Sequence, residues 1–95
     1  MNDAKSLGHH LNQINEATLD ACSFVDGIIK ADFLDDKRTQ KAVIMSLLII
    51  GEAATKVMDR YGDFAREHAA IPWRSMRGMR SRIAHSYFEV DLETV

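Results

Sequence analysis

Ninety-five residues, 46% of them apolar and 27% charged, make one globular domain and exclude both a two-core protein and a disordered tail. Cys22 is the only cysteine, which excludes an internal disulfide, and one proline with five glycines leaves few turn-formers for a small β-domain. The formal charge of −2 is spread unevenly: Pro72 to Val90 holds four arginines against Glu89, a local +3, so the remainder carries −5.

The first helix is expected from about Asp3 to Lys30. Leu7, Leu11, Ile14, Thr18, Ala21, Val25 and Ile28 recur at steps of four and three, the stripe of a helix packed on neighbours, and Ala17 and Phe24 widen it. Cys22 reads as a small core residue in this pattern. His9 and His10 point about 100° apart, which makes them poor joint metal ligands, and solvent exposure is expected for both. Ala31 to Asp36 reads as a connector in which Asp35 or Asp36 caps the next helix.

That second helix is expected from Lys37 to Tyr61. Between Val43 and Ile50 it is apolar nearly all round, so it packs on the first helix and needs a further partner, a second copy of the chain among the candidates. Glu52 follows at once, a carboxylate that must lie at a rim or pair with an arginine. Gly62 reads as a helix stop, Phe64 to His68 as a short helical piece, and Pro72 as the opening of a third long helix. Met76, Met79, Ile83 and Val90 mark the buried side of that helix. Asp91 to Val95 reads as the start of another helix, cut short. The apolar run Ala42–Ile50 is about half of what a membrane helix needs, and no signal-type segment follows Met1–Lys5. A single domain over residues 1–95, cytoplasmic and away from membranes, is the expectation.

The third helix carries the chemistry. Arginine presents a planar, permanently charged fork of donors matched to phosphate oxygens, and histidine moves protons near neutral pH. An imidazole that deprotonates a ribose 2′-hydroxyl and a guanidinium that stabilises the charged phosphorane suffice for RNA cleavage without a metal or other cofactor. Arg80 and His85 are the candidate pair, with Arg74, Arg77 and Arg82 as RNA-binding candidates. Five residues separate Arg80 from His85, about 140° on a straight helix. A joint site therefore needs a helix that bends or ends between them, or a site shared by two subunits.

The stretch Arg80-Ser81-Arg82-Ile83-Ala84-His85-Ser86-Tyr87 resembles the Arg-x4-His-x-Tyr motif of HEPN-domain proteins, in their HepT-like branch. Further landmarks of that branch stand in order: Phe33-Leu34-Asp35-Asp36, Thr39-Gln40-Lys41-Ala42-Val43, Ile49-Ile50-Gly51-Glu52-Ala53, Ile71-Pro72-Trp73-Arg74, Gly78-Met79-Arg80 and Tyr87-Phe88-Glu89-Val90-Asp91. The resemblance implies an all-α antiparallel bundle of four to five helices that forms a homodimer or higher oligomer, with paired motifs lining a cleft. It implies an endoribonuclease toxin acting on tRNA or mRNA, encoded beside an MntA-type nucleotidyltransferase antitoxin. By position it makes Arg80 and His85 the catalytic pair, Tyr87 the residue adenylylated by the antitoxin, and Glu52 and Ser81 supporting residues. Ser81 stands where the family often has asparagine. A different reading of the same resemblance is a non-catalytic HEPN subunit that binds and assists a nucleotidyltransferase.

Overall fold

The computed structural model describes residues 6–85. Five helices follow one another: α1 (Leu7–Val25), α2 (Lys30–Asp35), α3 (Lys37–Arg60), α4 (Gly62–Glu67) and α5 (Trp73–His85), and the described residues contain no strand. The expectation of an all-α bundle is met. Val90, Tyr87 and the helix expected from Asp91 lie outside the described residues.

The longest helix, α3, is the spine. Val43, Ser46, Ile50, Ala53 and Val57 are buried at steps of three and four, and the hydroxyl of Ser46 satisfies itself by donating to the Ala42 carbonyl at 3.1 Å. Ala54 and Val57, both fully buried, form one core with Trp73 of α5. Leu7, Leu11 and Ile14 of α1, Phe64 and Ala65 of α4, and Met76 of α5 close around it. α1 and α5 thus pack on different flanks of α3, and α4 plugs one end. The indole N–H of Trp73 finds a partner in the His68 carbonyl at 3.2 Å, so the ring is buried without an orphaned donor.

The termini of the helices follow from side chains that serve the backbone. Ser6 opens α1 by accepting from the His9 N–H at 3.2 Å. Of the two aspartates expected to cap α3, Asp36 does so, accepting from the Thr39 N–H at 3.1 Å and from its hydroxyl at 2.6 Å. The Thr39 hydroxyl bond and then its N–H bond hold the Asp36 carboxyl below its ordinary value. The Gln40 side chain donates to the carbonyls of Phe33 and Leu34, tying the end of α2 to the first turn of α3. The connector is therefore helical itself, a short helix pinned by its neighbour.

α1 is shorter than its periodicity implied. It ends at Val25, and Gly27 turns the chain at φ 76, a left-handed conformation that favours glycine. Thr18, Phe24, Val25 and Cys22 are exposed, contrary to the expected stripe and to a core position for Cys22. The burying face is carried instead by Leu7, His10, Leu11, Ile14 and Ala17 at the other end of the helix, where the α3–α4–α5 core lies. His10 is only 2% exposed, which overturns the solvent-facing expectation for it. The helix break expected at Gly62 falls one residue earlier, at Tyr61, and Gly62 begins α4. Pro72 stands immediately before α5, its carbonyl accepting from the Met76 N–H at 3.1 Å, so its missing N–H costs no helical bond.

Candidate functional site

Gly51 is where α5 comes closest to the spine. A methyl group there would stand 2.4 Å from the Arg80 Cβ and 2.8 Å from the Met76 carbonyl oxygen. Only a residue without a side chain lets the backbone of α5 approach so near. The next residue of α3, Glu52, reaches across the rim of this notch and accepts from the Arg80 Nη1 at 3.0 Å. Both side chains stay partly open to solvent, 32% for Arg80 and 54% for Glu52. Of the two places open to Glu52, rim or arginine partner, it takes both.

One turn earlier on α5, Arg77 makes a second bridge to the same helix. Its Nη2 donates to the Asp59 carboxylate and stands 3.4 Å from the Thr55 carbonyl. Each arginine is held through one terminal guanidinium nitrogen, Nη2 of Arg77 shared between two acceptors and Nη1 of Arg80 given to Glu52 alone, and the other terminal nitrogen of each meets no acceptor among the described residues. Asp59 was not foreseen; its spacing of seven from Glu52, two turns on one side of α3, was the signal available in the sequence.

The remaining candidates turn away from α3. Arg74, Ser81 and His85 follow one another at steps of seven and four on the outer side of α5, with Arg82 beside them. Arg74, Arg82 and His85 are exposed and Ser81 is half-buried. Since α5 runs unbroken to His85, no bend brings that imidazole round to Arg80, and the angle of about 140° between them holds. An open groove of about 480 Å³ lies between α4 and the start of α5, with Met58, Ile71 and Trp73 in its wall and Arg66 and Arg74 at its rim. Neither Arg80 nor His85 lines it. Tyr87 lies outside the described residues.

His10 is the other unusual group. Both of its ring nitrogens are buried and neither meets a partner in hydrogen-bonding geometry. Burial lowers its pKa below the ordinary 6.5, the nearby Gln13 side chain offsets part of that, and His9, Lys56 and Arg60 push the same way as burial. The Tyr61 ring lies 6.4 Å from the imidazole, centroid to centroid. Among the described residues no three histidine, cysteine, aspartate or glutamate side chains gather as metal ligands, and no helix is long and apolar enough to cross a membrane.

A helical bundle that presents arginines and a histidine from one helix defines a class of small α-helical domains suited to anionic partners. A family model described as ribonuclease HepT-like matches residues 14–95. The chain is 44% identical over 91 residues to the "Probable ribonuclease HepT" of Thermococcus cleftensis, covering 96% of this chain and 80% of that protein. It is 35% identical over 91 residues to the "Putative RNase MJ0127" of Methanocaldococcus jannaschii, covering 96% of this chain and 73% of that one. No solved structure matches. The chain belongs to the ribonuclease HepT-like family, which bears out the family and the ribonuclease class expected from the ordered landmarks.

Proposed function

We propose that this protein is the toxin of a toxin–antitoxin pair, a metal-independent endoribonuclease whose active site is completed by a second copy of itself. The observation that carries the reading is the placement of Arg80 and His85 on one unbroken helix. Arg80 faces the α3 seam while His85 faces outward, so one chain cannot bring both to one phosphate. A two-fold axis beside α5 supplies the missing half, because each copy lends its histidine to the other's arginine.

The outer stripe of α3 supports such a pair. Lys41, Met45, Ile49 and Glu52 follow one another at steps of four, four and three, all exposed, with Met45 at 56% and Ile49 at 40%. Two such stripes laid antiparallel bury the apolar centre and set Lys41 of one copy beside Glu52 of the other. In the assembled cleft His85 takes the proton of a ribose 2′-hydroxyl, whose oxygen attacks the adjacent phosphorus. The guanidinium of Arg80 meets the charge on the phosphorane, and the imidazolium so formed returns its proton to the departing 5′-oxygen. The products are a 2′,3′-cyclic phosphate and a 5′-hydroxyl, and DNA is spared for want of the 2′-hydroxyl. Arg74 and Arg82, exposed on the side of His85, hold the RNA backbone, and Ser81 supports the site between them. Arg77, bound to Asp59, is a weaker candidate for that role. Tyr87, two residues past His85, is the site at which an MntA-type nucleotidyltransferase silences the toxin by adding an anionic nucleotide that repels RNA.

The test is subunit complementation. Arg80→Ala and His85→Ala are each expected to be inactive on RNA. Refolded together in equal amounts, they recover about a quarter of wild-type activity, since half the dimers are mixed and each mixed dimer has one intact site. Cleavage by either variant alone, or no recovery in a mixture shown to contain mixed dimers, overturns the shared site. Activity that survives a chelator, and loss of toxicity with nucleotide found on Tyr87 after co-expression of the antitoxin, check the other two elements.

A further inference from the structure

The seam between α3 and α5 holds two arginine–carboxylate bridges, each made through one terminal guanidinium nitrogen, and they differ in how the arginine is rooted. Arg77 gives Nη2 to Asp59 and the Thr55 carbonyl. Arg80 gives Nη1 to Glu52, is the one whose Cβ is seated against Gly51, and among the described residues its Nη2 meets no acceptor. We propose that Glu52 is a positioning residue for Arg80, aiming the free edge of the guanidinium at the scissile phosphate, while the Asp59–Arg77 bridge only braces the helix. This rests on the reading of Arg80 as the phosphate-binding group.

Two features make Glu52 the aiming element. Gly51 brings the Arg80 Cβ so close to the spine that the long side chain leaves the backbone at a fixed point. From there several rotamers are open to an arginine, and a carboxylate on the adjoining residue selects one of them by fixing Nη1. The planar fork then has its Nη2 hydrogens directed by geometry before RNA arrives, which is the preorganisation that lets a charged donor stabilise a developing negative charge. Glu52 touches neither substrate nor reacting atoms; it acts on catalysis through Arg80, apart from its contact with Lys41 of the other copy in the dimer.

The experiment measures kcat and KM on a short RNA for wild type, Glu52→Ala, Glu52→Gln, Asp59→Asn and Arg80→Ala, each checked for helix content, thermal midpoint and, by sedimentation at the assay concentration, an unchanged dimer content. Glu52 is more than half exposed, so its replacements fold. The expected result is a kcat lowered by about 10- to 100-fold in Glu52→Ala with KM within about threefold of wild type. Glu52→Gln, whose amide oxygen still accepts from Nη1, recovers most of that loss, and Asp59→Asn keeps the wild-type kcat. The pH profile of kcat keeps its shape in every Glu52 variant, because the proton-transferring group is elsewhere. A wild-type or raised kcat in Glu52→Ala overturns the proposal, the rise marking a carboxylate that competes with RNA. So does an equal fall in Asp59→Asn, which marks a seam that matters only as a whole. Arg80→Ala separates the two levels: inactive beside an unaffected Glu52→Ala, it leaves the phosphate reading standing and removes only the role of Glu52. Fully active, it takes both down.

Discussion

Replacing Gly51 by alanine tests the close approach on which the Arg80 geometry depends. Ordinary contact for a new Cβ begins near 3.4 Å, and the added methyl would stand 2.4 Å from the Arg80 Cβ and 2.8 Å from the Met76 carbonyl oxygen, so about 1 Å must be opened between the helices. The carbonyl belongs to the backbone and cannot rotate aside. Overpacking of this kind costs about 1–3 kcal/mol, set against about 1 kcal/mol gained when alanine replaces glycine inside a helix. Gly78, in the middle of α5, is the matched control, because a Cβ there meets nothing within 4 Å. The propensity gain is common to both sites, so the difference between Gly51→Ala and Gly78→Ala isolates the overpacking cost. Gly78→Ala is expected to raise stability by about 1 kcal/mol, and Gly51→Ala to fall below it by about 1–3 kcal/mol. For a domain of this size that separation is roughly 4–8 °C of thermal midpoint per kcal/mol. Urea denaturation followed by circular dichroism, with a common slope fitted to both variants, measures it. Two variants stabilised alike would show that α5 does not seat against Gly51 and that the notch does not place Arg80.

Three further outcomes follow from packing and charge. His10 is buried as the neutral imidazole with its pKa lowered from 6.5, so the unfolded chain binds the proton more readily; stability is complete above about pH 6.5 and declines as pH falls below it. Urea midpoints between about pH 8 and 5 should show this slope, and His10→Leu should flatten it. Val57→Ala, at a fully buried position beneath Trp73, should cost about 2 kcal/mol through lost burial and a residual cavity, read from the same denaturation curves. Ile49→Asp, on the exposed stripe of α3, should leave the monomer folded, shift the species seen in sedimentation from dimer to monomer, and abolish RNA cleavage.

The helices that are long and strongly periodic were readable from their residues, and α3 most of all. Its buried positions, its start at an aspartate cap and its end near Tyr61 all follow from local chemistry. α1 was readable only in part, because periodicity marks which residues share a face but not how far the neighbouring helices extend along it. Phe24 and Val25 have the spacing of core residues and lie beyond the end of the core. His10 shows the converse: a polar residue at a stripe position next to Leu7, Leu11 and Ile14 is drawn inward with them. At the candidate site the residue types, the Glu52–Arg80 pairing as one of two options and the 140° problem were all legible. What sequence spacing could not supply was the meaning of Gly51, since its close approach to Met76 and Arg80 on another helix leaves no trace in local pattern. Asp59 left a trace, its spacing of seven from Glu52, but spacing alone does not say which arginine meets it.

The notch at Gly51 and the carboxylate of Glu52 fix different properties of the same arginine, and salt separates them. The notch is steric: it keys the register of α5 along α3, and no concentration of ions alters the fit of a Cβ into a gap. The Glu52 bridge lies at the solvent edge, where attraction between charges weakens as ionic strength rises. Adding salt therefore leaves the root of Arg80 where it is and loosens only its tip. The enzyme has a rigid mount and a compliant pointer, and ionic strength acts on the pointer alone.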